Sequence, residues 1–239
     1  MEDPMGLADL HMHTIFSYDG TATVPDVLRR AHEVGLDVIA VTDHDVIEGA
    51  LLAMELAPRY GVEVIPGIEV TTAEGDLLAL FVTEKIKPGR SLIETVMRVR
   101  ELGGICIAPH PSAGGMGMKS LSVASIVKAL HVPGVADTLI GIEAYNATAL
   151  DRVGISTARL LTSALNLASV GNSDAHVLGA IGLGATEFPG KGAAALLSAL
   201  RSGATSVRRR EEWNAIRIIG SWALNYVGSS FMRLAISSR

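Results

Sequence analysis

The chain has 239 residues, 49% of them apolar and 19% charged, a balance that describes a compact globular protein and excludes a disordered or collagen-like one. A formal net charge of -5 offers no basic footprint for duplex nucleic acid, whose sequence-independent binding rests on clustered Lys and Arg. A small phosphorylated substrate or a short single-stranded oligonucleotide remains compatible with that charge.

The length is large for one ordinary domain, yet α/β barrels reach it around a single core. No internal repeat, low-complexity segment or Pro/Ser-rich linker divides the chain, and the glycine-rich residues 113–117 read as one loop. Cys106 is the only cysteine and lies in an apolar run, so no intrachain disulfide can form and a buried, inert thiol is expected. The acidic start Met1-Glu2-Asp3-Pro4 has neither the basic flank nor the apolar stretch of a signal sequence, and a cytoplasmic location is expected.

In chain order, short apolar runs fall at residues 7–10, 37–42, 62–66, 77–82, 104–108, 139–145 and 167–171, and each reads as a buried strand. Between most of them lie stretches of helical periodicity, at 25–34, 46–60, 91–102, 121–130 and 151–165. Pro25 after Thr23 marks one helix start, and Ser91 with Glu94 forms a capping-box pattern at another. Such alternation implies parallel strands joined by right-handed crossovers, in an open doubly wound sheet or a closed barrel. The apolar stretch 213–236 is interrupted by Arg217, Asn225 and Arg233, too often to cross a bilayer easily, and reads as a helix docking on the protein. Trp222, Tyr226 and Phe231 with flanking arginines are also the pattern of a membrane-surface helix.

Nearly every apolar run is followed by a candidate metal ligand. The first ends in Asp9-Leu10-His11-Met12-His13, where two histidines one residue apart project from the same side of an extended segment. Asp19 follows on a loop whose Gly20 allows the chain to bring the carboxylate back over the strand end. Later runs deliver His44, then Glu69 with two oxygens able to bridge two cations, then His110, and finally Asp174 and His176. Ligands in parallel α/β folds bind at these strand ends. Imidazole together with carboxylate suits Zn, Mn or Fe.

Taken singly, each signal has a plain structural explanation. His32 and His131 read as surface or packing residues, Asp19-Gly20 as a turn, and Thr42-Asp43 as a helix cap. The joint pattern is different, because five of the seven histidines fall at strand ends beside three carboxylates. Asp43, Asp45 and Asn172 are placed to orient the imidazoles rather than to bind metal directly.

The segments Asp9-Leu-His-Met-His-Thr, Ser17-Tyr-Asp-Gly, Thr42-Asp-His-Asp, Pro66-Gly-Ile-Glu-Val, Ala108-Pro-His-Pro and Gly171-Asn-Ser-Asp-Ala-His resemble, in that order, the motifs of the PHP (polymerase and histidinol phosphatase) superfamily. The resemblance runs from about residue 7 to residue 203. It implies a single domain of the distorted (β/α)7 barrel type over 7–203, with 204–239 as an extension packing on the barrel. It also implies two or three divalent metal ions at the C-terminal strand ends. His11, His13, Glu69 and Asp174 would surround one, Glu69 would bridge to another near His110, and Asp19, His44 and His176 would hold a third and carry catalysis. Similar short family members often have a histidine after the Glu69 strand where this chain has Gly75-Asp76-Leu77-Leu78, and Asp76 is the candidate replacement. The long insertion that caps related nucleotide-degrading enzymes between Glu69 and His110 is missing, so an open site is expected.

The expected activity is hydrolysis of a phosphomonoester or nucleotide-type substrate by metal-activated water. Lys119 and Asn146, in or near loops after strand ends, are candidate contacts to the phosphate or its attached group. Glu143 and Tyr145 read equally well as hydrogen-bonding residues inside the barrel and receive no assignment. The alternatives are a non-catalytic metal-binding module and a metallohydrolase acting on a non-phosphate bond.

Overall fold

The computed structural model describes residues 4–112, 118–148, 152–210 and 215–237. The expectations for residues 1–3, the loop at 113–117, and the helix starts at 151 and 213 lie outside them. In chain order the elements are β1 (Met5–Asp9), α1 (Val24–Glu33), β2 (Val38–Val41), α2 (Glu48–Leu56), β3 (Glu63–Thr71), β4 (Asp76–Leu80), α3 (Leu92–Glu101), β5 (Ile105–Ala108), α4 (Val123–Leu130), β6 (Leu139–Asn146), α5 (Arg152–Leu165), β7 (Ala168–Asn172), β8 (Gly184–Pro189), α6 (Gly192–Ser202), β9 (Ser206–Arg209) and α7 (Ala215–Ser237).

Local chemistry sets the helix starts. Thr23 accepts a hydrogen bond from the Asp26 amide ahead of Pro25, and Val24, Val27, Leu28 and Ala31 are buried in a single stripe. Ser91 and Glu94 complete the reciprocal capping box of α3.

The strands form one mixed sheet in the order β7-β6-β5-β4-β3-β2-β1-β8-β9. The seven apolar runs become β1 to β7, but the sheet is not all parallel. β4 is antiparallel to both β3 and β5, with Thr71 opposite Asp76. The connection 72–75 is far too short for a parallel crossover, which takes a dozen or more residues, so only a hairpin can form. The chain then returns to the same end of the barrel, where the Gly89 and Ala73 amides bond to Thr71 and Arg90 carbonyls, before α3 begins. β8 and β9 extend the sheet as antiparallel strands beyond β1.

The barrel is nearly closed between β7 and β8. Thr186 Oγ1 accepts from the Gly171 amide at 3.1 Å and donates to its carbonyl at 2.9 Å. Gly171 is required there, since a Cβ would stand 2.7 Å from the Ala185 carbonyl. Alternate strand residues divide into two cores. Ala8, Val38, Ile65, Leu78, Ile107 and Val170 pack inside with Leu196 and Leu200 of α6. Ile39, Val70, Leu77, Cys106 and Ile142 pack outside beneath α1 to α5. Cys106 is fully buried, which pushes its thiol pKa up and keeps it protonated.

On α7, Ile218 is buried and Trp222 packs against the outer core. Among the described residues no helix is long and apolar enough to cross a membrane.

Candidate metal centre

Beyond β1 the chain stays extended, and Met12 bridges to Ala175 after β7. This carries His11 and His13 to the same side, with ring centroids 5.2 Å apart. The following turn is pinned by Asp43, whose carboxylate accepts from the Thr14 amide at 2.6 Å and the Thr14 hydroxyl at 2.7 Å. Gly20 lies so close to the Thr14 carbonyl that a Cβ would overlap it at 1.9 Å. That approach returns Asp19 to the strand ends, where Oδ2 lies 3.0 Å from His176 Nε2 and 3.4 Å from His44 Nε2.

Glu69, near the end of β3, lies at the middle. Its Oε2 is 3.0 Å from His11 Nε2, 3.2 Å from His13 Nε2 and 3.4 Å from His44 Nδ1, and its Oε1 is 3.2 Å from His110 Nε2. Asp174 Oδ1 stands 3.3 Å from His11 Nε2 and 3.2 Å from His13 Nε2. Among the described residues, donor atoms within 4.8 Å of one another form four overlapping groups: His13, Asp19, His44 and His176; His11, Glu69 and His110; His11, His13 and Asp174; and His44, Glu69 and Asp76.

The hydrogen-bond pattern tests whether cations fit. Carbonyl and carboxylate oxygens only accept, so His11 Nδ1, 3.1 Å from Glu143 Oε1, and His176 Nδ1, 3.0 Å from the Asp174 carbonyl, both carry hydrogen. In the neutral rings the Nε2 lone pairs therefore point at the carboxylates of Glu69, Asp174 and Asp19. A lone pair facing an anion is repulsive, so each contact calls for positive charge between the two atoms, which a second ring proton or a metal ion supplies. His11 Nε2 and His13 Nε2 also face each other at 3.2 Å. Neighbouring ligands of one cation bound at about 2.1 Å stand about 3.0–3.4 Å apart, the spacing seen here. The residues fit divalent metal ions.

Without a cation, the surrounding carboxylates favour a second proton on the rings, which a metal ion would replace. Burial opposes charge on His11, but Asp174, Glu69 and Glu143 outweigh it and raise its pKa well above the ordinary imidazole value. Burial likewise favours a neutral Glu69, and the surrounding imidazoles reverse this, holding its pKa well below the usual carboxylate range. At Asp76 the compensation is only partial: burial and the neighbouring charge of Glu69 raise its pKa more than His44, His110 and Thr71 lower it, and its Oδ1 has no hydrogen-bond partner among the described residues. His13 Nδ1 is also buried without one. Asp45, His110 and Asp174 have φ values of +57°, +31° and +52°, a left-handed backbone that costs about 1–3 kcal/mol per residue and tends to collect at functional sites.

The PHP domain model matches residues 9–172, and that of the PHP-associated region, PHP_C, matches 156–205. The chain belongs to the PHP family. This PHP chain is 40% identical over 114 residues to the uncharacterized protein MJ1587 of Methanocaldococcus jannaschii, covering 44% of the chain and 67% of that protein. It is 43% identical over 65 residues to a phosphoribosyl 1,2-cyclic phosphate 1,2-diphosphodiesterase of Eggerthella lenta, covering 27% of the chain. The match spans only 24% of that enzyme's length. In fold it is similar to a two-domain protein of Bacteroides vulgatus containing a predicted PHP-like metal-dependent phosphoesterase, with TM-score 0.72 and 22% identity over 87% of this chain and 66% of that one.

The eight residues expected as ligands, His11, His13, Asp19, His44, Glu69, His110, Asp174 and His176, stand together in this PHP chain, and Asp76 joins them. It does so because β4 is antiparallel, which places the first residue of β4 beside the last residue of β3. Asn146 is buried, and its Nδ2 donates to Glu143 at 2.8 Å and Asp174 at 3.1 Å. Lys119 is exposed, and its carbonyl accepts from the Asp76 amide at 2.6 Å. His131 lies apart, bonded to the Val127 carbonyl of α4.

Sequence reasoning left Glu143 unassigned. Its buried carboxylate accepts from the His110 amide, Asn146 Nδ2 and Asn172 Nδ2, each at 2.8 Å, besides His11 Nδ1. An acidic residue inside an otherwise apolar strand run was the available signal, since a buried carboxylate needs several partners.

Proposed function

We propose that this PHP protein is a metal-dependent phosphoesterase acting on a phosphomonoester or nucleotide-type substrate. The observation that carries the reading is the set of imidazole lone pairs facing carboxylates across the mouth of the barrel. The match to a diphosphodiesterase segment supports the phosphoester class. Imidazole with carboxylate favours Zn, Mn or Fe, and when bound such ions polarise phosphoryl oxygens and acidify water.

His11, His13, Glu69, His110 and Asp174 would hold the buried ions, with Asp76 supplying an oxygen beside His44 and Glu69. Asp19, His44 and His176 are the exposed members, with side chains 15%, 13% and 20% accessible against 5% or less for the other five. They therefore form the side that substrate meets, which suits their catalytic assignment. Asn146 would orient Asp174, and the exposed Lys119, whose carbonyl accepts from the Asp76 amide, remains the candidate contact to phosphate oxygens.

The test is phosphate or nucleoside release from a panel of phosphomonoesters, nucleotides and short oligonucleotides by the Mn-loaded protein. Turnover that is lost in Asp174→Asn supports the reading. Binding without release would make the chain an accessory module, and cleavage confined to acyl or amide substrates would make it a different hydrolase.

A further inference from the structure

Both family matches end by residue 205, so α7 lies outside them, yet it touches the metal centre. Trp222 Nε1 donates to the Asp19 carbonyl at 2.8 Å, and Arg233 Nη1 donates to the Gly20 carbonyl at 2.6 Å. Asp19 carries the carboxylate shared by His44 and His176. The two anchors are eleven residues apart, about three turns of helix, so they share one face. Ile218, Tyr226 and Ser229 lie on that face. Trp222 and Tyr226 have ring centroids 4.8 Å apart, and the Arg233 guanidinium sits 4.8 Å over the Tyr226 ring. Ser229 is buried, while Leu224 on another side is 82% exposed.

The Asp19 loop is gripped from within as well. Ser17 Oγ donates to Asp19 Oδ1 at 2.6 Å, and the Thr21 amide and hydroxyl both donate to the His176 carbonyl. Among the described residues these inner bonds tie the loop to His176 and use neither the Asp19 nor the Gly20 carbonyl. Those two acceptors are the ones α7 takes up, one with an indole N–H and one with a charge-assisted guanidinium bond.

We propose that α7 is a strap that positions Asp19 for metal binding, with Trp222 and Arg233 as positioning residues for the ion held by Asp19, His44, His176 and His13. The proposal rests on the metal-centre reading and not on the identity of the substrate. Outer partners that orient a ligand typically change metal affinity by about 10–100-fold. The strap should therefore act on one ion of the cluster and spare those held by His11, Glu69, His110 and Asp174.

The test is Mn titration calorimetry on the metal-stripped full-length protein, with Asp19→Asn marking the binding phase that depends on Asp19. Trp222→Phe keeps an aromatic ring and removes the N–H. It is expected to weaken that phase by about 10–100-fold and leave the other phases within about twofold, whereas Leu224→Ala changes none. Arg233→Gln reads the same phase from the other anchor should Trp222→Phe fail to fold. Folded variants with every phase unchanged, or with all phases weakened together, would overturn the strap. Absence of Mn binding by the wild type would instead remove the metal-centre reading on which it rests.

Discussion

The two ends of the barrel treat their carboxylates differently. At the end where the strands begin, Asp37 accepts from the Leu7 amide at 2.8 Å and from the Lys191 ammonium at 2.7 Å to each oxygen, and Glu63 accepts from the Ala193 amide of α6 at 2.8 Å. These acids face donors supplied by the protein. At the opposite end, Glu69, Asp174 and Asp19 face Nε2 atoms of rings whose Nδ1 hydrogens, on His11 and His176, are already committed. One end is electrostatically complete by itself and contributes to stability, while the other becomes complete only with added positive charge. Barrels of parallel strands and helices divide stability and chemistry between their ends in this way.

The largest effect that would break this contrast is expected from Asp174→Asn. Loss of a carboxylate placed between His11 and His13 should lower metal-dependent turnover by more than about 100-fold, beyond the range for outer partners, and lower the metal equivalents per chain. Elemental analysis returning wild-type metal content would contradict the contrast.

Next comes Glu143→Gln, which keeps the shape but removes the charge that holds His11 Nδ1–H and the His110 amide. Metal affinity should fall by about 10–100-fold with the secondary structure intact by circular dichroism. An unchanged affinity would show that the His11 ring is oriented without this carboxylate.

At the other end, Asp37→Ala should cost about 1–2 kcal/mol in denaturant unfolding, the range for one amide bond and one partly exposed ion pair, and leave metal stoichiometry unchanged. A loss of metal on this substitution would mean that the two ends are coupled.

The smallest effect sharpens the comparison with a site remote from both networks. Thr23 bonds the Asp26 amide and donates to its carboxylate, which lowers the Asp26 pKa, with further help from Arg29. Thr23→Ala should cost about 1 kcal/mol at neutral pH. A depressed carboxylate pKa gives stability that is present above the unfolded value of about 3.9 and is lost as pH falls through the folded value. The gap between wild type and variant should therefore narrow below about pH 4, and a pH-independent gap would assign the whole effect to the amide bond.

Much of the fold was legible because its signals are local. Apolar runs, Thr23, Pro25, Ser91 and Glu94 act within a few residues, and the strands and helices form where they point. The direction of β4 was not legible from apolar runs alone, because β3 continues to Thr71 and leaves only a hairpin connection. β8 and β9 were missed because Gly184–Pro189 and Ser206–Arg209 mix polar and charged residues with apolar ones instead of forming an apolar run, as strands near a sheet edge do. Glu143 and Tyr145 look equivalent at a period of two, but the register shifts between them. Glu143 enters the His11 network, while Tyr145 lies half-buried beneath the Arg209 guanidinium.

The sequence by itself determined the side-chain chemistry at the strand ends: which imidazoles and carboxylates follow which strands, a property carried by residue type and local spacing. Only the tertiary structure decided which of them meet. His13 and Asp174 are 161 positions apart in the chain, and Trp222 and Asp19 are 203 apart. Their contacts depend on barrel closure between β7 and β8, the reversed direction of β4 and the docking of α7. Those outcomes come from register and packing summed over the whole sheet, to which no short stretch of sequence is sensitive.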